Sequence, residues 1–414
     1  MSSKYVQCFI LLSLLALAGC SSVFSSSPTP TPVDTPTPAP LGPPPEAAPG
    51  LYMGTSDNAL VALDLSDGAQ RWKRPNTLEY YSAVVLDHNV LYLVSLGKAV
   101  AAFNASDGER RWQTLLDNDS GAEDGGALVV ANGILYVGTG ASLYALNAND
   151  GKRLWKSPAT VGAVSALALS GDGKTLYLNN GSVIALNASD GTKLWDYSAS
   201  VPAPAPGRYF SDLILADGVI YTGETGRTDA APYIFAVDAS TGKEVWHSEP
   251  RPASTPKQQP GVIGLAFDQN TLYVSEANDS TSFLFALNSK SGGMLWRFQA
   301  TGVATTPVVA NGTVYLGAAT DGGTAYALNA KTGGKRWSFL TSNATTPNAL
   351  AMRPNTVGPA NARAAGVPVL ALALQGGTLC MLFNKQVFAL AVDTGDQQWT
   401  AQPGDAHSDE WAVG

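Results

Sequence analysis

Residues 134–155 read ILYVGTGASLYALNANDGKRLW, 175–195 read TLYLNNGSVIALNASDGTKLW, and 313–337 read TVYLGAATDGGTAYALNAKTGGKRW. Each stretch holds two short, alternating, β-prone apolar runs, then an Asn-led turn, a Gly, and a Trp four residues further on. Alternation at this length marks half-buried strands. In a turn such as Asn187-Ala188-Ser189-Asp190-Gly191 the Asx side chain accepts from amides two residues on, and Gly adopts positive φ without a Cβ clash. Ala131-Asn132-Gly133, Asp172-Gly173-Lys174 and Ala310-Asn311-Gly312 supply a second tight turn ahead of the unit.

Working outward, the Gly-x-x-x-Trp ending recurs eight times from residue 51 onward: Gly68/Trp72, Gly108/Trp112, Gly151/Trp155, Gly191/Trp195, Gly242/Trp246, Gly292/Trp296, Gly333/Trp337 and Gly395/Trp399. Eight of the nine tryptophans are used this way, which makes them structural, packed residues. A repeat of about 40–50 residues built from short strands predicts an all-β, eight-bladed β-propeller of four-stranded antiparallel blades. Blade one begins at Leu51 without an inner strand, because PPPEAAPG precedes it and proline cannot donate to a ladder. The orphan segment Asp409–Gly414 is expected to supply that strand and close the ring.

The unit resembles the pyrroloquinoline-quinone (PQQ) repeat, in which an alternating Leu-Tyr-Val-Gly strand, an Ala-Leu-Asp/Asn strand, a Thr-Gly turn and a Trp follow in this order. The likeness covers 51–414. It implies an eight-bladed ring with each Trp packed between adjacent blades. WD40 and kelch propellers match less well, since the Gly-His…Trp-Asp and Gly-Gly signatures are missing.

Ahead of the repeats, residues 1–19 carry Lys4 and an apolar run from Phe9 to Ala18, the design of a signal peptide rather than a membrane span. Leu17-Ala18-Gly19-Cys20 resembles the bacterial lipobox, which implies cleavage before Cys20 and lipid attachment to its thiol. Residues 20–50 then form a Pro/Thr/Ser-rich spacer, unable to build a core and extending to roughly 90 Å as polyproline II. The expected location is extracytoplasmic, lipid-anchored to the cell membrane or outer membrane.

Composition narrows the function. The 414 residues carry a net charge of −8 and only 14% charged side chains, against nucleic-acid binding. Cys8, Cys20 and Cys380 make no disulfide framework, and His88, His247 and His407 fall in separate repeats. The PQQ resemblance brings quinoprotein dehydrogenases into view, which hold PQQ and Ca²⁺ in the axial mouth, usually beside a Cys-Cys disulfide. After lipidation only Cys380 remains, so the likeness lies in the scaffold; the expectation is no enzyme, no catalytic residue, no metal and no cofactor, with PQQ plus Ca²⁺ as the alternative. The acidic run Asp117, Asp119, Glu123, Asp124 departs from the EF-hand pattern and reads as a solvated loop.

Extra length falls in the second-to-third and blade-to-blade connections of blades five to eight: 197–211, Glu224–Pro232, 247–261, Glu276–Ser282 and 341–366. These share one face of the disc, while the other face keeps tight turns. Loops on a rigid scaffold are where binding concentrates. The candidate binding face carries Arg208, Tyr209, Arg227, Arg251, Lys257, Arg353 and Arg363, mixed with Glu224, Asp229, Glu249, Glu276 and Asp279. The expectation is a monomer that binds an envelope protein or glycan, similar to the propeller lipoproteins of the outer-membrane β-barrel assembly machinery. Alternatives are a PQQ-dependent oxidoreductase and a surface receptor for a polysaccharide or small ligand.

Overall fold

The computed structural model describes residues 42–413, except 56–58, 76–80, 96–98, 118–125, 141, 159–160, 163, 198–208, 226–231, 251–260, 278–280, 320–321, 342–369, 384 and 404–405. Within them every regular element is a strand, and the strands form eight antiparallel sheets. The inner strands are Ala406–Val413 of blade one, then Tyr81–Asp87, Ala127–Ala131, Ala166–Leu169, Tyr209–Ala216, Gly261–Asp268, the pair Val303–Ala304 and Val308–Ala310, and Leu370–Gln375 of blade eight. Neighbouring inner strands touch around the whole circle, blade eight against blade one included. The chain is an eight-bladed β-propeller.

The last strand closes the ring as expected. Leu51, Tyr52 and Met53 pair with Val413, Ala412 and Trp411, so blade one takes its inner strand from the C-terminus. The added strand is longer than the sequence suggests, starting at Ala406 and joined to Thr55 through a register shift. Blade seven departs from four continuous strands: its inner strand breaks at Thr305–Pro307. Pro307 has no N–H for the ladder. Thr305 keeps the hold by donating its N–H to the Gly317 carbonyl at 2.9 Å and accepting from the Gly317 amide at 3.1 Å.

Tight turns populate one face. Asn187 Oδ1 accepts from the Ser189 amide at 3.0 Å, Asp190 Oδ1 accepts from the Thr192 amide at 2.9 Å, and Gly191 sits at φ +72°. The third-to-fourth turn of each blade is tied to its own first-to-second turn by one backbone bond in most blades, for example Ala148 N–H to Gly133 O and Ala330 N–H to Gly312 O. Both turn types therefore lie on the same side of the disc.

Packing between blades is one seam repeated eight times. A Cβ on Gly68, Gly108, Gly151, Gly191, Gly242, Gly292, Gly333 or Gly395 would stand 2.5–2.7 Å from the indole of Trp399, Trp72, Trp112, Trp155, Trp195, Trp246, Trp296 or Trp337, respectively. Each Trp thus lies flat on the turn glycine of the following blade, and Trp399 on Gly68 completes the circle. Seven of the indoles also donate Nε1–H to a carbonyl of that next turn: Trp72 to Ala105, Trp112 to Ala148, Trp155 to Ala188, Trp246 to Ser289, Trp296 to Ala330, Trp337 to Val392 and Trp399 to Leu65, all at 2.8–3.1 Å. A Tyr of the second strand leans on the Trp in blades one to seven, with ring centroids 5.9–6.1 Å apart. In four of those blades the Tyr hydroxyl donates to the same carbonyl as the indole, as Tyr273 and Trp296 do at Ala330.

Blade eight replaces that Tyr with Cys380, which pairs with Ala389 opposite Trp399. Burial pushes the Cys380 thiol up to about 12. Its thiolate fraction at neutral pH is then roughly three orders of magnitude below that of an ordinary thiol. An aromatic disulfide reagent should therefore leave Cys380 unmodified in the native protein and label it stoichiometrically in denaturant. Rapid native-state labelling would show that the blade eight–blade one seam opens.

Candidate functional site

The eight repeat tryptophans sit on the outer strands in the blade seams, where Trp72, Trp112, Trp246 and Trp399 are buried and the other four partly so. Cys20, Arg208, Arg227, Arg251, Lys257, Arg353 and Arg363 lie outside the described residues. Tyr209 does not belong to a loop: it opens the inner strand of blade five, its backbone opposite Thr225.

The roots of the long connections are described, and they correct the sequence reading. Glu224 and Glu276 are strand residues with no exposed surface, not charges displayed on a loop face. Both stand three positions after the repeat Tyr, where blades one, two and three have Thr55, Ser95 and Thr139. This position clasps the second-to-third connection. Thr55 Oγ1 donates to the Ala59 carbonyl at 3.0 Å, and Thr139 Oγ1 to the Ser142 carbonyl at 2.9 Å. Glu224 does the same over a longer span, its N–H donating to the Tyr233 carbonyl at 2.9 Å and its Oε2 accepting from the Tyr233 amide at 3.1 Å.

His247 also has partners that spacing alone did not reveal. Glu244 Oε1 lies 2.6 Å from His247 Nδ1, and Glu244 Oε2 accepts from the Tyr197 hydroxyl. Burial by itself would raise the Glu244 carboxyl, but these two bonds outweigh it and hold the group below the usual carboxylate range. Tyr233 packs edge-on against the imidazole, centroids 5.7 Å apart. Tyr197 ends the outer strand of blade four and Ser248 that of blade five. The Tyr197–Glu244–His247 bridge therefore ties together the roots of two long connections.

At the axial end of blades four to six a second polar group forms. Asn179 Nδ2 is 3.4 Å from Thr222 Oγ1, which donates to the Asp212 carbonyl at 2.7 Å. The Asp212 carboxylate accepts from the Leu213 amide at 2.8 Å and from the backbone of Leu265 on blade six. Desolvation raises its pKa against those bonds. Of the acidic run before blade three, Asp117 is held by Arg153 at 2.9 Å and Lys156 at 3.3 Å, so it serves as an ion-pair partner; Asp119, Glu123 and Asp124 lie outside the described residues.

PQQ is a polycarboxylate, and its enzymes pair it with Ca²⁺. None of the eight inner strands contains a Lys or Arg, and the Asp212 carboxylate accepts from two amides. Among the described residues no three His, Cys, Asp or Glu side chains converge on a metal position. The described inner strands therefore offer no cation to the carboxylates of PQQ.

An eight-bladed disc with Trp-on-Gly seams and Tyr–Trp pairs defines a PQQ-repeat propeller. The family model described as outer membrane protein assembly factor BamB matches residues 33–124, 117–232 and 230–412, and the chain belongs to that family. Among solved structures, BamB from Moraxella catarrhalis is 18% identical with a TM-score of 0.55, covering 84% of this chain and 90% of that one. The quinohemoprotein alcohol dehydrogenase ADHIIG from Pseudomonas putida HK5 is 14% identical with a TM-score of 0.58, covering 84% of this chain and 71% of that one. The computationally designed Ika8 protein is 15% identical with a TM-score of 0.58, covering 79% and 88%. These likenesses show the fold. No curated protein matches the chain in sequence.

Proposed function

We propose that this protein is a lipid-anchored, extracytoplasmic scaffold that binds an envelope protein or glycan, as an assembly factor rather than an enzyme. The observation that supports this reading best is the match of the assembly-factor family across 33–412, on a chain whose eight inner strands carry no Lys or Arg. The rigid, glycine-seamed ring would present the long connections of blades five to eight, including the segments that carry Arg208, Arg227, Arg251, Lys257, Arg353 and Arg363. Lipid at Cys20 would hold it at the membrane, since two or more acyl chains give stable anchoring.

Cys20→Ser should move the protein to the soluble fraction or leave it unprocessed; unchanged fractionation and migration would remove the anchor from this reading. Shortening 341–366 to a tight loop should leave the fold intact, because closure entropy changes slowly with length. It should weaken cross-linking to the envelope partner. Cross-linking lost instead on changing the tight-turn face would place the site on the opposite side of the disc. The quinoprotein fold likeness keeps PQQ-dependent oxidation as the second reading. Stoichiometric uptake of PQQ with Ca²⁺ and dye-linked alcohol oxidation would promote it.

A further inference from the structure

Two features of the tight-turn face point in one direction. The first is a strap. Arg71, braced by Asp64 at 2.8 Å, donates to the carbonyls of Ala48 and Pro49. Arg111, braced by Asn104 Oδ1 at 3.0 Å, donates to the Gly42 carbonyl at 2.7 Å. Ala47 packs on the apolar seam between blades one and two. Asp64 and Asn104 begin third-to-fourth turns, so residues 42–49 run across the tight-turn face, and the chain enters the ring from that side.

The second feature is a break in the charge pattern of the same turns. Six of the eight third-to-fourth turns contain an Asp: Asp64 and Asp67, Asp107, Asp150, Asp190, Asp238 and Asp393. Blades six and seven carry none, reading Asn288-Ser289-Lys290-Ser291-Gly292 and Asn329-Ala330-Lys331-Thr332-Gly333. The neutral Asn288 and Asn329 oxygens cap these turns, each accepting the lysine's own amide at 3.0 Å, which leaves both lysine side chains exposed. Lys335 and Arg336 follow, also exposed, with Arg336 donating to the Gly312 carbonyl on the same face at 3.1 Å. Beside them Met294 is 52% exposed and Leu295 54%; Leu295 matches the exposed Leu154, Leu194 and Val245 of blades three to five, so Met294 is the added aliphatic side chain here. The lysines of blades three and four are locally neutralised: Lys152 by Asp150, Lys174 by Asp172 and Lys193 by Asp196. Among the described residues Lys290, Lys331 and Lys335 enter no ion pair, and neither does the exposed Lys243 next to them on blade five.

We propose that the tight-turn face is the bilayer-facing side of the disc, and that Lys290, Lys331, Lys335 and Arg336, with Met294 and Leu295, dock on anionic phospholipid. Clustered cations beside exposed aliphatic side chains are the makings of interfacial binding, and they are out of character on a chain with net charge −8. The strap brings the chain in from the same side. This inference builds on the anchored reading, and it assigns the long-connection face to the side away from the membrane.

The test uses the chain from residue 20 onward with Cys20→Ser, which carries no lipid and retains the whole ring, closed within 42–413. It should co-sediment with phosphatidylcholine vesicles containing about one third phosphatidylglycerol, less so in high salt, and not with pure phosphatidylcholine. The triple change Lys290→Gln, Lys331→Gln, Lys335→Gln should weaken that binding roughly a hundredfold, about fivefold per charge. Lys152→Gln, Lys174→Gln, Lys193→Gln makes the same change in net charge on paired side chains and should alter it less than about twofold. Met294→Ser with Leu295→Ser should remove the binding that survives salt. Melting curves confirm that each variant is folded. Equal loss in both lysine triples, no binding by the parent chain, or binding to an anionic polysaccharide without vesicle binding would each overturn the assignment. Failure of the Cys20 anchor is read separately, by fractionation of the native chain.

Discussion

Deleting residues 404–414 should open the ring and abolish cooperative unfolding. Without the Ala406–Val413 strand, the Gly50–Thr55 strand becomes an unpaired edge, and the inner strands of blades two and eight lose the neighbour that both touch. An eight-residue inner strand, with its ladder hydrogen bonds and its contacts to two neighbouring blades, is worth about 5 kcal/mol or more, comparable with the whole stability of many domains. An open edge of this kind also invites pairing between chains. The expected result is a broad, low-temperature melt with concentration-dependent association, read by calorimetry and light scattering. A peptide of residues 404–414 added in trans should restore the sharp transition by strand addition. A truncated chain that still melted as one sharp unit would mean that the last strand covers the ring without closing it.

That closure was legible because one blade came up a strand short and proline ruled out the preceding segment as its source. The Trp seams were legible through the likeness to the PQQ repeat, which implies a Trp between adjacent blades. Much of the rest depends on residues that only the folded ring brings together. Nothing in the spacing joins Tyr197 to Glu244, because they belong to different blades. Arg71 and Arg111 look like ordinary outer-strand cations until the strap is laid across their turns. Glu224 and Glu276 were misread as loop charges, although a signal was present: they stand three residues after the repeat Tyr, where three other copies have Thr or Ser. Loop length drew attention to the charge type and away from the register. Blade seven shows the same limit, since a four-strand count from apolar runs passes over the N–H that Pro307 lacks.

The seam itself is best tested at Trp72 and Gly108. Trp72→Ala should cost about 3–5 kcal/mol, because the indole is 8% exposed and leaves a cavity between blades one and two. It also strips the Ala105 carbonyl of its indole donor. Gly108→Ala should cost about 2–4 kcal/mol from two sources. The residue sits at φ +71°, worth about 1 kcal/mol for any residue with a Cβ. The new methyl would also lie 2.6 Å from Trp72 Cε3 and 2.7 Å from Arg74 Cγ, an overpacking cost of about 1–3 kcal/mol. Gly218→Ala separates the two: its φ is +75°, but nothing stands within 4 Å, so only the backbone cost should remain. In the double variant the missing indole removes the Trp72 contact and leaves a cavity into which the flexible Arg74 side chain can shift. Denaturant unfolding should therefore show Trp72→Ala plus Gly108→Ala less destabilised than the sum of the singles by about 1–3 kcal/mol. It should still be less stable than Trp72→Ala alone, because the cavity relieves the clash and leaves the positive φ untouched. Strict additivity would mean that the glycine is required by the turn alone and that the indole does not rest on it.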